Sequence, residues 1–105
     1  MHARVTRFEG SPKEIETGIK QIKEQVIPTA KKLAGFKGGY WLLDRTSGKG
    51  FGITLFESES ALRASDDAVA KLRAEVTQTS GTKITGVESY EVVAEARVEQ
   101  MAPAR

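Results

Sequence analysis

Four side chains in this 105-residue sequence carry chemistry of their own: His2 and Arg4 near the start, Trp41 in the middle and Tyr90 towards the end. His2 is the single imidazole and the natural general base, and with Arg4 it is suited to stabilising a developing oxyanion. Trp41 is the single indole, a broad surface on which an aromatic ligand can stack, and Tyr90 offers a phenol for hydrogen bonding to a substrate. A general-base His needs a neighbour that fixes its tautomer, and nothing beside His2 does so. The simpler expectation for His2 and Arg4 is a structural ion pair at the rim of a sheet, with Glu88 or Asp44 as the acid.

Composition narrows the choice further. The absence of Cys removes disulfides, thiolate metal sites and thiol nucleophiles, and one His makes a histidine metal site untenable, so no metal and no cofactor are expected. A net charge of +2 gives no electrostatic case for nucleic acid or an anionic membrane. Lysines on the first helix alternate with Glu14, Glu16 and Glu24 and read as a solvated face, while Gly48-Lys49-Gly50 precedes no helix that would complete a phosphate loop. With no leader-like or membrane-length apolar run, a cytoplasmic location is expected.

The elements that must position these residues can be read in order. Ala3 to Glu9 alternates with period two, a strand that Gly10 ends. Ser11-Pro12-Lys13-Glu14 is a capping box, its hydroxyl expected to accept from the Glu14 amide and the Glu14 carboxylate to reach back. Ile15, Ile19, Ile22 and Val26 then form one apolar helical stripe, Pro28 must kink or restart the helix, and Gly35 can stop it. Phe36 to Arg45 and Phe51 to Glu57 are strands joined by a turn at Thr46 to Gly50. Ser58 or Ser60 caps a second helix with a stripe of Leu62, Val69, Leu72 and Val76, interrupted at Ser65-Asp66-Asp67. Gly81 ends it, and Ile84 to Ala94 is the last strand.

This order is a split βαβ repeat: an α+β, ferredoxin-like domain with a four-stranded antiparallel sheet and two helices on one face, spanning residues 1–94, with 95–105 as a flexible tail. Strand parity puts Trp41 and Leu43 under the helices together with Ile53 and Leu55. There the expected ligand-binding set is completed from the second helix by Leu62, Ser65 and Val69. Small Ala61, Ala64 and Ala68 opposite the Trp41 indole should leave a cavity. His2 and Arg4 are expected on the other face with Tyr40, Leu42, Thr54 and Phe56, where a second copy covers them in a symmetric homodimer. The parity of the last strand stays open, because Val87 and Val93 oppose Val92.

Three segments carry a family likeness: the first strand with Ser11-Pro12-Lys13-Glu14, Gly35-Phe36-Lys37-Gly38-Gly39-Tyr40, and the run from Ile53 to Leu62. Across residues 2–94 the chain resembles the dimeric α/β-barrel superfamily, in its antibiotic-biosynthesis-monooxygenase-like branch. The resemblance implies a homodimer whose sheets share a barrel, with a pocket between sheet and helices in each subunit. Enzymes of that branch use an Asn on the first strand, a Trp, and a His or other polar residue on the helices. The matching positions here are Ala3 and the surroundings of Ser65 and Leu72, and the chain contains no Asn. The expected function is therefore binding of a small hydrophobic or aromatic molecule, and the alternative is cofactor-independent monooxygenation of an aromatic, polyketide-like substrate.

Overall fold

A computed structural model describes residues 1–98. Residues 92–98 have no regular secondary structure, and positions 99–105 of the expected tail lie outside the described residues. Four strands, β1 (His2–Glu9), β2 (Phe36–Leu43), β3 (Lys49–Phe56) and β4 (Lys83–Glu91), form one sheet in the order β2-β3-β1-β4, every neighbouring pair antiparallel. The helical connections β1 to β2 and β3 to β4 pack on one face, giving the α+β, ferredoxin-like arrangement that the element order predicts.

The first connection begins with a 3₁₀ turn, Pro12–Glu14. Ser11 caps it, but its hydroxyl accepts from the amide of Lys13 at 3.3 Å, one residue earlier than the capping-box reading places it. A tight 3₁₀ turn brings that earlier N–H within reach, and the Glu14 amide is taken by the Ser11 carbonyl instead. Helix α1 (Ile15–Gln21) continues into a π-helical turn, Ile22–Val26, and then α2 (Ile27–Lys31). Pro28 explains the wide turn: it has no N–H to donate and its ring crowds the carbonyl of Glu24. The chain loosens locally until the Ile27 amide bonds to Ile22, five residues back. In the second connection Ser58 caps α3 (Glu59–Ala64) by accepting from the Ala61 amide at 3.1 Å. Ser65 separates it from α4 (Asp66–Ser80). Gly35 and Gly81 close the two helical segments in the left-handed conformation, at φ of 80° and 71°.

Register fixes the faces, because directly opposed residues in a sheet share a side. Thr54 lies opposite Arg4 and Gly39, Gly52 opposite Thr6 and Trp41, and Phe56 opposite His2. This row faces the helices. On the other side Ile53 stands opposite Val5 and Tyr40, Phe51 opposite Arg7 and Leu42, and Leu55 opposite Ala3, which itself faces Tyr90. Six placements are corrected by this register. Ile53 and Leu55 lie on the face away from the helices, whereas Arg4, Thr54 and Phe56 lie beneath the helices rather than on a dimer face, and His2 shares their row. The glycines of β3 carry the reason: with Gly50 and Gly52 inward, its large aliphatics necessarily fall outward, reversing the pairing with Trp41 that aliphatic character suggests. The open parity of β4 is also resolved, with Tyr90 and Glu88 outward.

The packed core is confined to one end of the sandwich. Phe56 and Leu62 are fully enclosed and Leu72 and Ala30 nearly so, with Phe36 set edge-on to Phe56 at a centroid distance of 5.8 Å. By contrast, Ile15, Ile19, Ile22 and Val26 are only half-buried. Their stripe faces the sheet across open space. No helix among the described residues is long and apolar enough to cross a membrane.

The outer face is apolar and bare. Tyr40, Leu42 and Phe51 are 66%, 49% and 40% exposed. Arg7 bridges this face, bonding through Nε to Glu88 Oε1 at 2.8 Å and placing its guanidinium 5.5 Å from the Phe51 ring centroid. The bond from Arg7 foremost holds the Glu88 carboxyl below its ordinary value of 4.5. Since the folded-state value is the lower one, the pair contributes fully above the unfolded value and its contribution is lost as the pH falls through the depressed one. Glu88→Gln should therefore flatten the acid limb of the stability curve, read by urea unfolding from neutral pH down to about pH 3. An unchanged acid limb would show that the pair is not formed.

Candidate functional site

Between the sheet and the helices lies a cavity of about 440 Å³. Its floor is aromatic because glycines let rings lie on the strands. A β-carbon at Gly52 would come within 3.0 Å of Trp41 Nε1, one at Gly39 within 3.1 Å of Trp41 Cη2, and one at Gly50 within 2.7 Å of Phe8 Cζ. The Trp41 indole thus rests against β3 and its own strand, and Phe8 against Gly50. Ile15, Ile19, Ile22 and Val26 form the opposite wall, with Val69, Leu72 and Val76 of α4 along one side. The space above Trp41 comes from glycines in the sheet. Ala61, Ala64 and Ala68, to which sequence reasoning ascribes it, are not among the lining residues.

One end of the cavity is polar. Arg4, 3% exposed, donates through Nη2 to the Leu62 carbonyl at 3.0 Å, to Ser65 Oγ at 3.1 Å and to Asp66 Oδ1, and its guanidinium stands 5.5 Å from the Phe56 ring centroid. Ser65 Oγ in turn donates to the Leu62 carbonyl at 2.6 Å. Asp66 thus takes the place expected for Glu88 or Asp44 as the acid beside Arg4. The spacing of α3 and α4 explains it, since the break at Ser65 swings the first turn of α4 over the start of β1. Arg4, Thr54 and Arg73 line the cavity, and Arg4 Nη1, Thr54 Oγ1 and Arg73 Nη1 are buried and have no hydrogen-bond partner among the described residues. Burial, and then the nearby charge of Arg4, lower the pKa of the Arg73 guanidinium from its ordinary value, while Asp66 opposes the effect.

Of the residues singled out in the sequence, Trp41, Leu43 and Val69 line the cavity, as do Arg4 and Thr54. Leu62 is enclosed in the core behind it, Ser65 is engaged with Arg4, and Phe56 forms the end wall. His2 stands at the start of β1, opposite Phe56 and outside the lining, and Tyr90 is on the far face, so the two are not gathered with Arg4. Ala3, the position matching the family's Asn, also faces away, and Arg4 is the first-strand residue at the cavity's polar end. Sequence reasoning missed Arg73. Its signal is visible in retrospect: Val69, Arg73 and Val76 are spaced by four and three, which sets a cation on the apolar stripe.

Gly18 lies on α1 at the cavity wall, and a β-carbon there would meet nothing within 4 Å. Gly18→Ala should raise stability by about 0.5–1 kcal/mol by reducing unfolded-state freedom and improving helix propensity. Thermal unfolding checks this. A lower melting temperature would mean that the wall is closed against the helix.

No protein-family model matches the chain. Rv2558, an uncharacterised protein of Mycobacterium tuberculosis, is 33% identical over 73 residues, which are 70% of this chain and 31% of that protein. The chain therefore spans less than a third of this curated relative's length. Among solved structures, ActVA-Orf6, a monooxygenase of Streptomyces coelicolor in complex with nanaomycin D, superposes with a TM-score of 0.66 at 15% identity, over 95% of this chain and 92% of that one. MhuD, a heme-degrader of Mycobacterium tuberculosis with two hemes in its active site, gives a TM-score of 0.67 at 19% identity, over 92% and 100% of the two chains.

Proposed function

From the premise that the chain has the fold of the antibiotic-biosynthesis-monooxygenase-like α/β proteins, we propose that it acts as a homodimer binding a flat, apolar, aromatic small molecule between sheet and helices. The cavity carries this reading. Its apolar walls and indole floor favour a planar hydrocarbon over water. A volume of about 440 Å³ is that of an ordinary small-molecule site.

The outer face supports the homodimer. Tyr40, Leu42 and Phe51 with the half-buried Ile53 and Leu55 make a contiguous apolar surface, which a second copy of the same surface covers by two-fold symmetry. A second reading, oxygenation of the bound molecule without a cofactor, is favoured by one observation: the unpartnered Nη1 groups of Arg4 and Arg73 stand where they would stabilise negative charge developing on a substrate.

Native mass spectrometry with added 2-naphthoate tests the principal reading. The expected mass is twice the 11.4 kDa chain, with one ligand per chain. A single-chain mass at micromolar concentration, or a dimer without adduct, would overturn it. Oxygen uptake in step with ligand loss would promote the second reading over simple binding.

A further inference from the structure

The cavity has an electrostatic asymmetry that an apolar ligand leaves unanswered. Two guanidinium groups, of Arg4 and Arg73, stand at its polar end with one carboxylate, Asp66, between them, and Asp66 is half exposed on the helix side. Asp66 engages only Nη2 of Arg4. Nη1 of Arg4, Nη1 of Arg73 and the hydroxyl of Thr54 remain buried donors with no acceptor. Such groups cost roughly 1–3 kcal/mol each when left unmade, and more when charged. Three donors beside one surplus positive charge fit an anion with two acceptor oxygens. The fork of a guanidinium favours a carboxylate in that role.

We infer that the molecule bound in this cavity is an aromatic carboxylate, its ring on Trp41 and its two oxygens received by Arg4, Arg73 and Thr54. The inference rests on the binding reading above and names its ligand class. Thr54 stands directly opposite Gly39, the residue against which the six-membered ring of the Trp41 indole rests, so ring and carboxylate are received side by side.

Isothermal titration calorimetry of the whole protein with 2-naphthoate and with methyl 2-naphthoate tests this. The acid is expected to bind about tenfold more tightly than the ester, the difference made by charge-assisted hydrogen bonds. Arg73→Gln should reduce that preference to about threefold or less, because it weakens binding of the acid more than that of the ester, and Arg73→Lys should retain part of it. Arg4 is left intact because it ties α3 and α4 to β1. Equal affinity for acid and ester, or a preference that survives Arg73→Gln, overturns the inference while the binding reading stands. Failure of both compounds to bind overturns the two together.

Discussion

Replacing Asp66 with Asn is expected to lower folding stability by about 2–3 kcal/mol, a large effect for one helix-terminal residue. Arg4 is buried, and Asp66 is the single carboxylate bonded to it among the described residues. Removing that charge leaves the buried Arg4 guanidinium without a counter-ion and the nearby charge of Arg73 unopposed. Breaking one side of a fully buried pair costs about 3–5 kcal/mol, and the lower figure here allows for the 48% exposure of the Asp66 side chain. Asp66 also lies in the first turn of α4, where a negative charge favours the helix. Urea unfolding of the variant measures the loss. An added aromatic carboxylate should restore more stability to the variant than to the parent, because it supplies the missing charge. A change below about 0.5 kcal/mol would mean that Arg4 is held by Ser65 and the Leu62 carbonyl alone.

The second large effect concerns assembly. Leu42→Asp is expected to weaken the proposed homodimer about 100-fold or more, since it sets a carboxylate on the apolar face that a second copy would cover. Within one chain Leu42 is half exposed, opposite Phe51, so the folded protomer tolerates the change. Sedimentation velocity on both proteins decides the matter. A parent already monomeric, or a variant that assembles as well as the parent, would contradict the assignment of this face.

The sequence makes the architecture legible because helix stripes, the Ser58 cap, Gly35 and Gly81 are local signals that tertiary packing does not override. The break at Ser65 and the disturbance at Pro28 are of the same kind, as each follows from the chemistry of one residue. Side of the sheet is less accessible. Period two in β3 separates two sets, Gly50, Gly52, Thr54 and Phe56 from Phe51, Ile53 and Leu55, but hydrophobicity favours the second set for the interior. Burial of the first set depends on Trp41 and Phe8, whose rings occupy the room the glycines leave. That is a long-range steric fit, invisible in composition. The polar end was harder still to foresee. Arg4 reads as a rim residue on a strand, and its partners Leu62, Ser65 and Asp66 are about sixty residues away, brought in by the second helical connection.

The central claim, that the space above Trp41 binds a flat aromatic molecule, is tested most directly by titrating the emission of that single tryptophan with anthracene-9-carboxylate, in the parent and in Gly18→Phe. Position 18 opens onto the cavity without obstruction, so the added ring occupies the binding space while the helix keeps its course. Saturable quenching in the parent, weakened about tenfold or more in the variant, is the predicted result. Quenching that does not saturate, or that is the same in both proteins, would contradict it.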